Sequence, residues 1–412
     1  MTTTPIKIID KPCGSGKTTA MINNFNNQDK YLVIVPLLSE VDRIVEGSME
    51  VEFVQPHANN NNSGTKYASL EEHLILGRNI VSTHKMYESL VPLAKAGLLS
   101  DYHIIIDEVP DVVKHIAMKS KTSIDEFYID TGFMEVDEDS GRVMPKQKWI
   151  DTRDQVFDTL SPKILSAAMS GCLYLQDRQM FIWALPPIIL QAGLSLTVLT
   201  YKAEGSLFVA YLRKLGLSFQ LDTNTSTDNQ FREKAAELVT IKDIRALKNQ
   251  KFSHNAQQKG LKSTSYCKKV SGSLKNLKGR KLGDIEAKNI LITCMKDAWL
   301  MPANDNKVNR GPFAKNSRLG EANWIPNTTR GTNNFAHCSH LIYLYDQHPR
   351  PFITRWLGDS STAFADAYAL TELIQWVWRS RVRRGQPITL YLPSLRMRML
   401  FERWLDGTRQ FA

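Results

Sequence analysis

The stretch that decides the fold lies at the beginning of the chain and reads Ile6-Lys-Ile-Ile-Asp10-Lys-Pro-Cys-Gly-Ser-Gly-Lys17-Thr-Thr-Ala20. Its first residues are mostly apolar and β-branched, which predicts a buried strand of a parallel sheet, and its end predicts the start of a helix. The glycines between them permit a tight turn whose N–H groups point at an anion. A Gly-rich turn ending in Gly-Lys-Thr, placed between a strand and a helix, indicates a loop that binds nucleotide phosphates.

This loop provides most of the predicted nucleotide contacts. Lys17 is expected to reach the β- and γ-phosphates and the Thr18 hydroxyl to hold Mg²⁺, while the dipole of the following helix adds positive potential. The usual first glycine of the motif is replaced by Lys11. The residues of the loop that we expect to contact the nucleotide are Gly14, Ser15, Gly16, Lys17, Thr18 and Thr19.

A second acidic motif follows ninety residues after Lys17, where His103-Ile-Ile-Ile ends in Asp107-Glu108. A carboxylate at the carboxyl end of an apolar parallel strand lies where an α/β sheet binds nucleotides. We expect Asp107 to hold Mg²⁺ together with Thr18, and Glu108 to orient or deprotonate the attacking water.

Strand and helix signals alternate in both halves of the chain. Apolar runs at residues 6–9, 31–35, 79–82 and 103–106 predict strands of one parallel sheet, and residues 180–185 and 195–200 continue that rhythm. Residues 118–160 interrupt it, and their acidic stretch 135–141 predicts a hairpin tip. A second set of strands is expected at residues 289–293, 340–345 and 388–392, with an amphipathic helix at 363–377. The polar residues 222–230 are the best candidate for a linker.

We therefore predict two α/β domains. The first spans residues 1–224 and includes the insertion at about 118–160, and the second spans residues 225–412. The length of 412 residues agrees with two or three domains. The five scattered cysteines contain no Cys-x-x-Cys pair, which argues against a zinc ribbon or a disulfide framework. With no signal-peptide pattern and no apolar stretch of about 20 residues, we expect a cytoplasmic protein with no membrane partner.

Positive charge is concentrated in the second half of the chain, whose total formal charge is +10. Residues 1–239 hold 23 Lys/Arg and 30 Asp/Glu, whereas residues 240–284 hold 12 and 2, and residues 285–412 hold 17 and 10. This asymmetry favours a polyanion as the partner of the second half, with a solvated charged surface as the alternative. Residues 240–284, the basic segment, are expected to form long exposed loops, and Lys268 and Lys269 are candidate nucleic-acid contacts.

The phosphate loop and Asp107-Glu108 resemble motifs I and II of superfamily 2 helicases and translocases, and the resemblance extends over nearly the whole chain. It implies two RecA-like parallel-sheet domains in tandem with an ATP cleft between them. It looks most like the compact helicases of bacteriophages, although Val109-Pro110 differs from the DEAD-box and DEAH-box patterns. The further segments that resemble family motifs are 31–40 with Arg43 (Ia), 79–84 with Thr83 and His84 (Ib), 196–202 with Lys202 (III), Arg330-Gly331-Thr332-Asn333 (V) and 375–384 (VI).

In motif VI the family has a glutamine followed by two arginines. Gln375 matches the glutamine, and Arg379 is the better candidate for an arginine finger. The second arginine is either Arg381 or Arg383, since neither has the usual spacing. The resemblance implies that Gln375, Arg379 and Arg383 act in hydrolysis and that Gly331 contacts the nucleotide. It also implies that Arg43, Thr83, His84, Lys202 and Thr332 contact the nucleic acid.

The resemblance implies an ATP hydrolase that couples hydrolysis to translocation along a single strand and to unwinding, with ATP and Mg²⁺ as cofactors. It favours DNA over RNA, a role in phage replication or recombination in the host cytoplasm, and other replication proteins as partners. A self-contained motor of this type is compatible with a monomer. The alternative is a P-loop NTPase that remodels a protein or packages nucleic acid, with residues 118–160 as docking surface. A binding protein with a degenerate nucleotide site is a third alternative, against which the intact Lys17 and Asp107 argue.

Overall fold

The computed structural model describes residues 4–58, 64–87, 89–116, 118, 123–152, 161–302, 308–329 and 331–407. The strands are β1 (Ile6–Asp10), β2 (Lys30–Val35), β3 (Phe53–Val54), β4 (Asn79–Thr83), β5 (Tyr102–Asp107), β6 (Val113–Ile116), β7 (Met134–Val136), β8 (Val143–Pro145), β9 (Leu173–Gln176), β10 (Met180–Ala184), β11 (Ser195–Thr200), β12 (Gln220–Thr223), β13 (Val239–Lys242), β14 (Ile290–Thr293), β15 (Leu300–Pro302), β16 (Val308–Arg310), β17 (Asn323–Trp324), β18 (His340–Tyr343) and β19 (Ile388–Tyr391). The helices are α1 (Lys17–Ile22), α2 (Leu38–Gly47), α3 (Lys66–Ile75), α4 (His84–Tyr87), α5 (Val91–Lys95), α6 (Gln147–Thr152), α7 (Ser161–Met169), α8 (Pro187–Leu190), α9 (Leu207–Lys214), α10 (Thr225–Leu238), α11 (His254–Gly260), α12 (Thr264–Leu277), α13 (Lys296–Trp299), α14 (Pro351–Leu357), α15 (Thr362–Val377) and α16 (Leu395–Leu405).

The first sheet has seven parallel strands in the order β12-β1-β11-β5-β2-β4-β3. Its central strands are apolar along nearly their whole length, because helices cover the sheet on both faces. The order places β11 between β1 and β5. The phosphate loop after β1 and the carboxylates at the end of β5 therefore lie at the same edge of the sheet, separated by one strand.

The second sheet has five parallel strands in the order β13-β19-β18-β14-β17. Successive residues of β18 point to opposite faces, so Leu341 and Tyr343 join one core and Ile342 joins the other. The first core is covered by α10, α15 and α16, and the second by α12 and α13. Two parallel sheets in one chain agree with the predicted α/β fold.

Residues Val113–Ala184 contain a small antiparallel unit between two strands of the first sheet, and this unit is wider than the predicted insertion. Its sheet has the order β6-β10-β9, and β7 and β8 form a hairpin around residues 137–142, which confirms the predicted hairpin tip. The expectation that residues 180–185 rejoin the parallel sheet is wrong. Asp177 and Arg178 have φ angles of 52° and 51°. Two successive left-handed residues make a tight hairpin turn, which pairs β10 antiparallel with β9.

Two predicted irregular segments are ordered. Residues 222–230 are the end of β12 and the start of α10 rather than a linker, because the Asn224 side chain accepts a hydrogen bond from the Thr227 N–H and caps the helix. The basic segment forms α11 and α12 rather than long loops. Ser253 and Ser263 cap these two helices, and the apolar face of α12 is buried in the second sheet's core.

The first sheet also receives elements from late in the chain. The α14 side chains, including Trp356, pack into the core of the first sheet, and Phe364 of α15 joins them. At Gly205, after β11, a Cβ atom would lie 2.5 Å from the carbonyl oxygen of Ala367 in α15. Contact this close shows that α15 packs tightly against the first sheet while its later turns fill the second sheet's core. Within the described residues, we find no helix with the length and apolar character needed to cross a membrane.

Candidate functional site

The phosphate loop connects β1 to α1 with two glycines in left-handed backbone conformation. Gly14 and Gly16 have φ angles of 79° and 82°, which other residues adopt only with strain. The Lys17 ammonium donates hydrogen bonds to the carbonyl oxygens of Lys11 (2.7 Å) and Pro12 (3.0 Å). The lysine side chain thus folds back over the loop, and its charge lies where a phosphate in the loop would be bound.

Asp107 and Thr18 form the part of the site that fits a divalent cation. The Thr18 hydroxyl donates to Oδ2 of Asp107 over 2.9 Å, which joins the start of α1 to the end of β5. Burial and the neighbouring Glu108 raise the pKa of Asp107 to about 6, although Thr18 and Lys17 act in the opposite direction. A buried carboxylate beside a hydroxyl is a set of hard oxygen donors, and Mg²⁺ is held in nucleotide sites by one or two such groups together with phosphates. These residues therefore fit Mg²⁺.

Glu108 has a φ angle of 63°, which is unusual for a residue with a side chain. Its N–H donates to the Leu199 carbonyl oxygen over 2.9 Å, so β11 holds the backbone in this conformation. Its Oε1 lies 3.3 Å from Nη2 of Arg379, which comes from the last turn after α15. A strained backbone at such a position is typical of functional sites. The pair joins the first sheet's acidic motif to the second sheet's arginines.

The structure distinguishes the arginines of the second half. The Arg379 side chain is 4% exposed, and its Nε is buried with no hydrogen-bond partner among the described residues, which is costly for a charged group. Arg383 follows in a short 3₁₀ turn and lines the same cleft, with its Cγ about 4.0 Å from the Cβ position of Gly14. Arg381 instead donates from Nε to the Pro387 carbonyl oxygen and is absent from the described lining. Of the two alternatives, Arg383 is the arginine at the cleft.

The turn after β11 makes hydrogen bonds to α15 and an ion pair with α10, both of which belong to the second half. Gln375 donates to the Tyr201 carbonyl oxygen over 3.3 Å, and the Thr371 hydroxyl donates to the Lys202 carbonyl oxygen over 3.2 Å. The Lys202 ammonium lies 3.3 Å from a carboxylate oxygen of Asp228 in α10. Lys202, which we predicted to contact nucleic acid, therefore has an ion-pair partner within the protein at the junction of the two halves.

The other residues that we predicted to contact nucleic acid lie in different parts of the molecule. Thr83 ends β4, and His84, the next residue, has Nε2 2.9 Å from the carbonyl oxygen of Asp107. His84 thus touches the backbone of the acidic motif. Lys268 and Lys269 are exposed on α12, on the face of the second sheet opposite to α15.

The segment that resembles motif V reaches the cleft from the second half. Gly331 lines the cleft with a φ angle of 68°, and a Cβ atom there would lie 2.6 Å from Cγ of Pro36, just after β2. Glycine is required by both the backbone conformation and this close approach. Thr332 follows it and accepts a hydrogen bond from the Asn334 N–H. Arg330 lies outside the described residues.

Two residues near the start of α2 belong to the cleft although the sequence did not indicate it. Arg43, which we predicted to contact nucleic acid, lines the cleft, and its Nη2 donates to the Thr19 hydroxyl over 3.0 Å. Glu40 lines the cleft as well and is paired with Arg43. The available signal was their spacing of three residues on the helix that follows β2, the strand next to β5.

One cleft thus combines the phosphate loop and carboxylates of the first sheet with the arginines of the second. Its described lining consists of Cys13, Gly14, Gly16, Lys17, Thr18, Thr19, Pro36, Glu40, Arg43, Asp107, Glu108, Tyr201, Gly331, Trp378, Arg379 and Arg383. The fold and this cleft define a tandem-sheet α/β protein with a P-loop at the junction of its sheets.

Comparisons with known proteins agree with this architecture. Residues 233–405 match a family model described as the YonV C-terminal Rossmann-like domain. The chain is similar to the SPbeta prophage-derived uncharacterized protein YonV of Bacillus subtilis (strain 168), with 26% identity over 429 residues, 98% of this chain and 99% of that protein.

Among solved structures, the chain is similar to XPD in its apo form, with a TM-score of 0.52 and 13% identity over 98% of this chain and 95% of that one. It is also similar to Xpd4 of S. tokodaii, with a TM-score of 0.43 and 12% identity over 98% and 94%. The likeness to XPD is a likeness of fold. It confirms the predicted architecture of two RecA-like parallel-sheet domains in tandem.

Proposed function

We propose that the protein is an ATP-driven translocase or helicase that moves along single-stranded nucleic acid. The observation that carries this proposal is the contact of Arg379 with Glu108 across the cleft, beside Lys17 and the Thr18–Asp107 pair. The phosphate loop belongs to the first sheet, and Arg379 follows a helix of the second half. The site is therefore complete only when the two halves lie close together. That dependence is what converts hydrolysis into movement.

Each side chain has a task in hydrolysis. Lys17 and the loop N–H groups bind the phosphates, and Thr18 and Asp107 hold Mg²⁺, which neutralises charge on the phosphate oxygens when bound. Glu108, whose backbone is left-handed, orients the attacking water and accepts its proton in this proposal. Arg379 and Arg383 stabilise the negative charge of the transferred γ-phosphoryl group, a task worth about 10³–10⁵ in rate for such arginines.

The partner of Arg379 is also expected to depend on whether the bound nucleotide has a γ-phosphate. The Arg379 guanidinium is paired with Glu108 across the cleft. A γ-phosphate carries more charge and competes for the guanidinium, which frees the Glu108 carboxylate for water. Gln375 and Thr371 lie on the same helix and bond the turn after β11, so a shift of α15 reaches that turn directly. This arrangement links the nucleotide state to the relative position of the two halves.

We propose single-stranded DNA as the track, in phage replication or recombination. The excess of Lys and Arg in residues 240–412 supports a polyanion partner, and the prophage origin named for the YonV relative supports the setting. Thr83, Thr332, Lys268 and Lys269 remain candidates for backbone contacts. The division at residues 224 and 225 is our proposed boundary between the two domains.

The decisive experiment measures ATP hydrolysis alone and with single-stranded DNA, duplex DNA or RNA. Wild-type protein should hydrolyse ATP, and single strands should stimulate it. Lys17→Ala and Arg379→Ala should each reduce kcat by at least about 10³-fold. Lys7→Ala, which changes a half-exposed lysine of β1, serves as control and should retain activity. Full hydrolysis by Lys17→Ala would refute the proposal.

A second candidate function is ATP-driven remodelling of a protein. The antiparallel unit at Val113–Ala184 favours it, because this unit has its own core around Tyr128, Trp149 and Phe181 and begins soon after the acidic motif. A docking unit there would be directly connected to the hydrolytic site. ATP hydrolysis that no nucleic acid stimulates would support this function over the first.

A further inference from the structure

The first two turns of α2 contribute Glu40 and Arg43 to the lining of the cleft. Arg43 donates from Nη2 to the Thr19 hydroxyl over 3.0 Å and from Nη1 to Glu40 Oε2 over 3.1 Å. The side chains of Glu40 and Arg43 both line the same cleft as Lys17. Two of the guanidinium nitrogens are thus directed to groups of the cleft.

We propose that Arg43 binds the nucleotide itself, held in place by Glu40, and that it is not a contact for the nucleic-acid strand. This inference rests on the proposed nucleotide-hydrolysing function and adds a third arginine to the site, from the same sheet as the phosphate loop.

The position of Thr19 carries the argument. Thr19 follows Lys17 and Thr18 at the end of the phosphate loop and lines the same cleft, where the loop N–H groups attract phosphate oxygens. A group bonded to the Thr19 hydroxyl lies one hydrogen bond from that location. A guanidinium binds phosphate oxygens with charge-assisted, often bidentate bonds, so a phosphate is its natural ligand there.

Glu40 explains why the guanidinium is directed into the cleft. Its side chain is 13% exposed, compared with 43% for Arg43, so the carboxylate is a comparatively fixed anchor three residues earlier on the helix. The Glu40 carboxylate therefore holds the Arg43 guanidinium beside Thr19 at the cleft.

The remaining exposure of Arg43 suits a ligand that enters from solvent. A side chain 43% exposed keeps guanidinium surface available after both internal bonds are made. The two internal bonds hold the guanidinium at the lining of the cleft, so a ligand bound in the cleft reaches it without a movement of the side chain. The geometry favours a ligand bound in the cleft beside Thr19.

The test measures the Kd of the full chain for Mg·ADP and for a non-hydrolysable ATP analogue, and separately the Kd for single-stranded DNA without nucleotide. Arg43→Ala should weaken nucleotide binding about 10- to 100-fold, since it removes a bond between charged groups, and should leave DNA binding within about twofold. Arg43→Lys should recover only part, because it cannot bind bidentately. The matched control is Arg213→Ala on α9, an exposed arginine that also pairs with a glutamate and lies outside the described lining of the cleft.

A companion variant tests the role of Glu40. In the Arg43→Ala background, Glu40→Ala should cause no further loss of nucleotide affinity, because Glu40 acts through the guanidinium. A further loss would overturn that positioning role.

The outcomes separate this inference from the proposed function. If the wild-type protein binds and hydrolyses nucleotide but Arg43→Ala binds it equally well, this inference fails and the proposed function stands. If Arg43→Ala weakens only DNA binding, Arg43 is a strand contact after all. If the wild-type protein binds no nucleotide, the proposed function itself fails.

Discussion

Replacing the buried carboxyl group of Asp107 with an amide should stabilise the protein in the absence of nucleotide while abolishing hydrolysis. Burial and Glu108 raise the pKa of Asp107 from 3.8 to about 6. The folded state therefore binds this proton more tightly than the unfolded chain does, so ionisation at neutral pH opposes folding. A difference of about two pKa units corresponds to roughly 3 kcal/mol, at about 1.36 kcal/mol for each unit. Asp107→Asn keeps an oxygen that can accept the Thr18 hydrogen bond.

The pH dependence of the free energy of unfolding shows whether the buried Asp107 charge is the cause of the difference. The penalty in the wild-type protein is absent below pH 4, grows between pH 4 and pH 6, and is complete above pH 6. The free energy of unfolding, measured by guanidinium titration with tryptophan fluorescence, should therefore be higher for Asp107→Asn at pH 8 by up to about 3 kcal/mol. The two proteins should become equally stable as the pH falls to 4.

The control is Asp111→Asn, four residues later, whose side chain is 79% exposed. It should change the free energy of unfolding by less than about 0.5 kcal/mol at every pH. If Asp107→Asn is no more stable than the wild-type protein at pH 8, or if its advantage does not change with pH, the buried-charge explanation is wrong. Such a result would mean that the carboxylate has compensating partners in the apo state.

Three further changes test separate parts of the site. Arg383→Ala should lower kcat by about 10³-fold or more, whereas Arg381→Ala, which removes only a bond to a loop carbonyl, should change it little; equal reductions in steady-state assays would contradict this assignment. His84→Ala, which removes the hydrogen bond to the Asp107 carbonyl oxygen, should reduce stimulation by single strands about 2- to 30-fold with basal hydrolysis retained, and an unchanged stimulation ratio would exclude a coupling role. Changing Lys268 and Lys269 together to Gln should flatten the salt dependence of strand binding by about 0.7 for each strand phosphate that is no longer neutralised, and an unchanged slope would show that α12 does not touch the strand.

Local sequence determined the elements that carry the phosphate loop and the acidic motif. The conformation of Gly14 and Gly16 and the apolar strand before Asp107 depend mainly on adjacent residues, and both are found where the sequence predicts them. Elsewhere a helix cap and a left-handed turn produced local structures that differ from the predicted ones. Asn224 caps a helix in a segment that resembles a linker, and the left-handed pair Asp177-Arg178 makes a hairpin where a parallel strand was expected.

The sequence predicted individual residues of the site better than it predicted which residues lie in contact there. The sequence predicted that Arg43 contacts nucleic acid, and it did not predict that the packing of α2 against α1 brings the guanidinium to Thr19. Lys202 likewise has a carboxylate partner in α10. Such pairings depend on which helix packs beside which, and this is not encoded in the spacing of residues within one helix.

The sequence by itself determined that this protein has a phosphate loop, an acidic strand end and a basic second half. Only the tertiary structure decided that these features form one site. Glu108 and Arg379 are separated by 271 positions along the chain, yet they lie 3.3 Å apart. The position of β11 between β1 and β5, and the packing of α15 against both halves, bring them together. Backbone conformation follows from near neighbours, whereas a contact between distant residues follows from how whole elements bury their apolar faces.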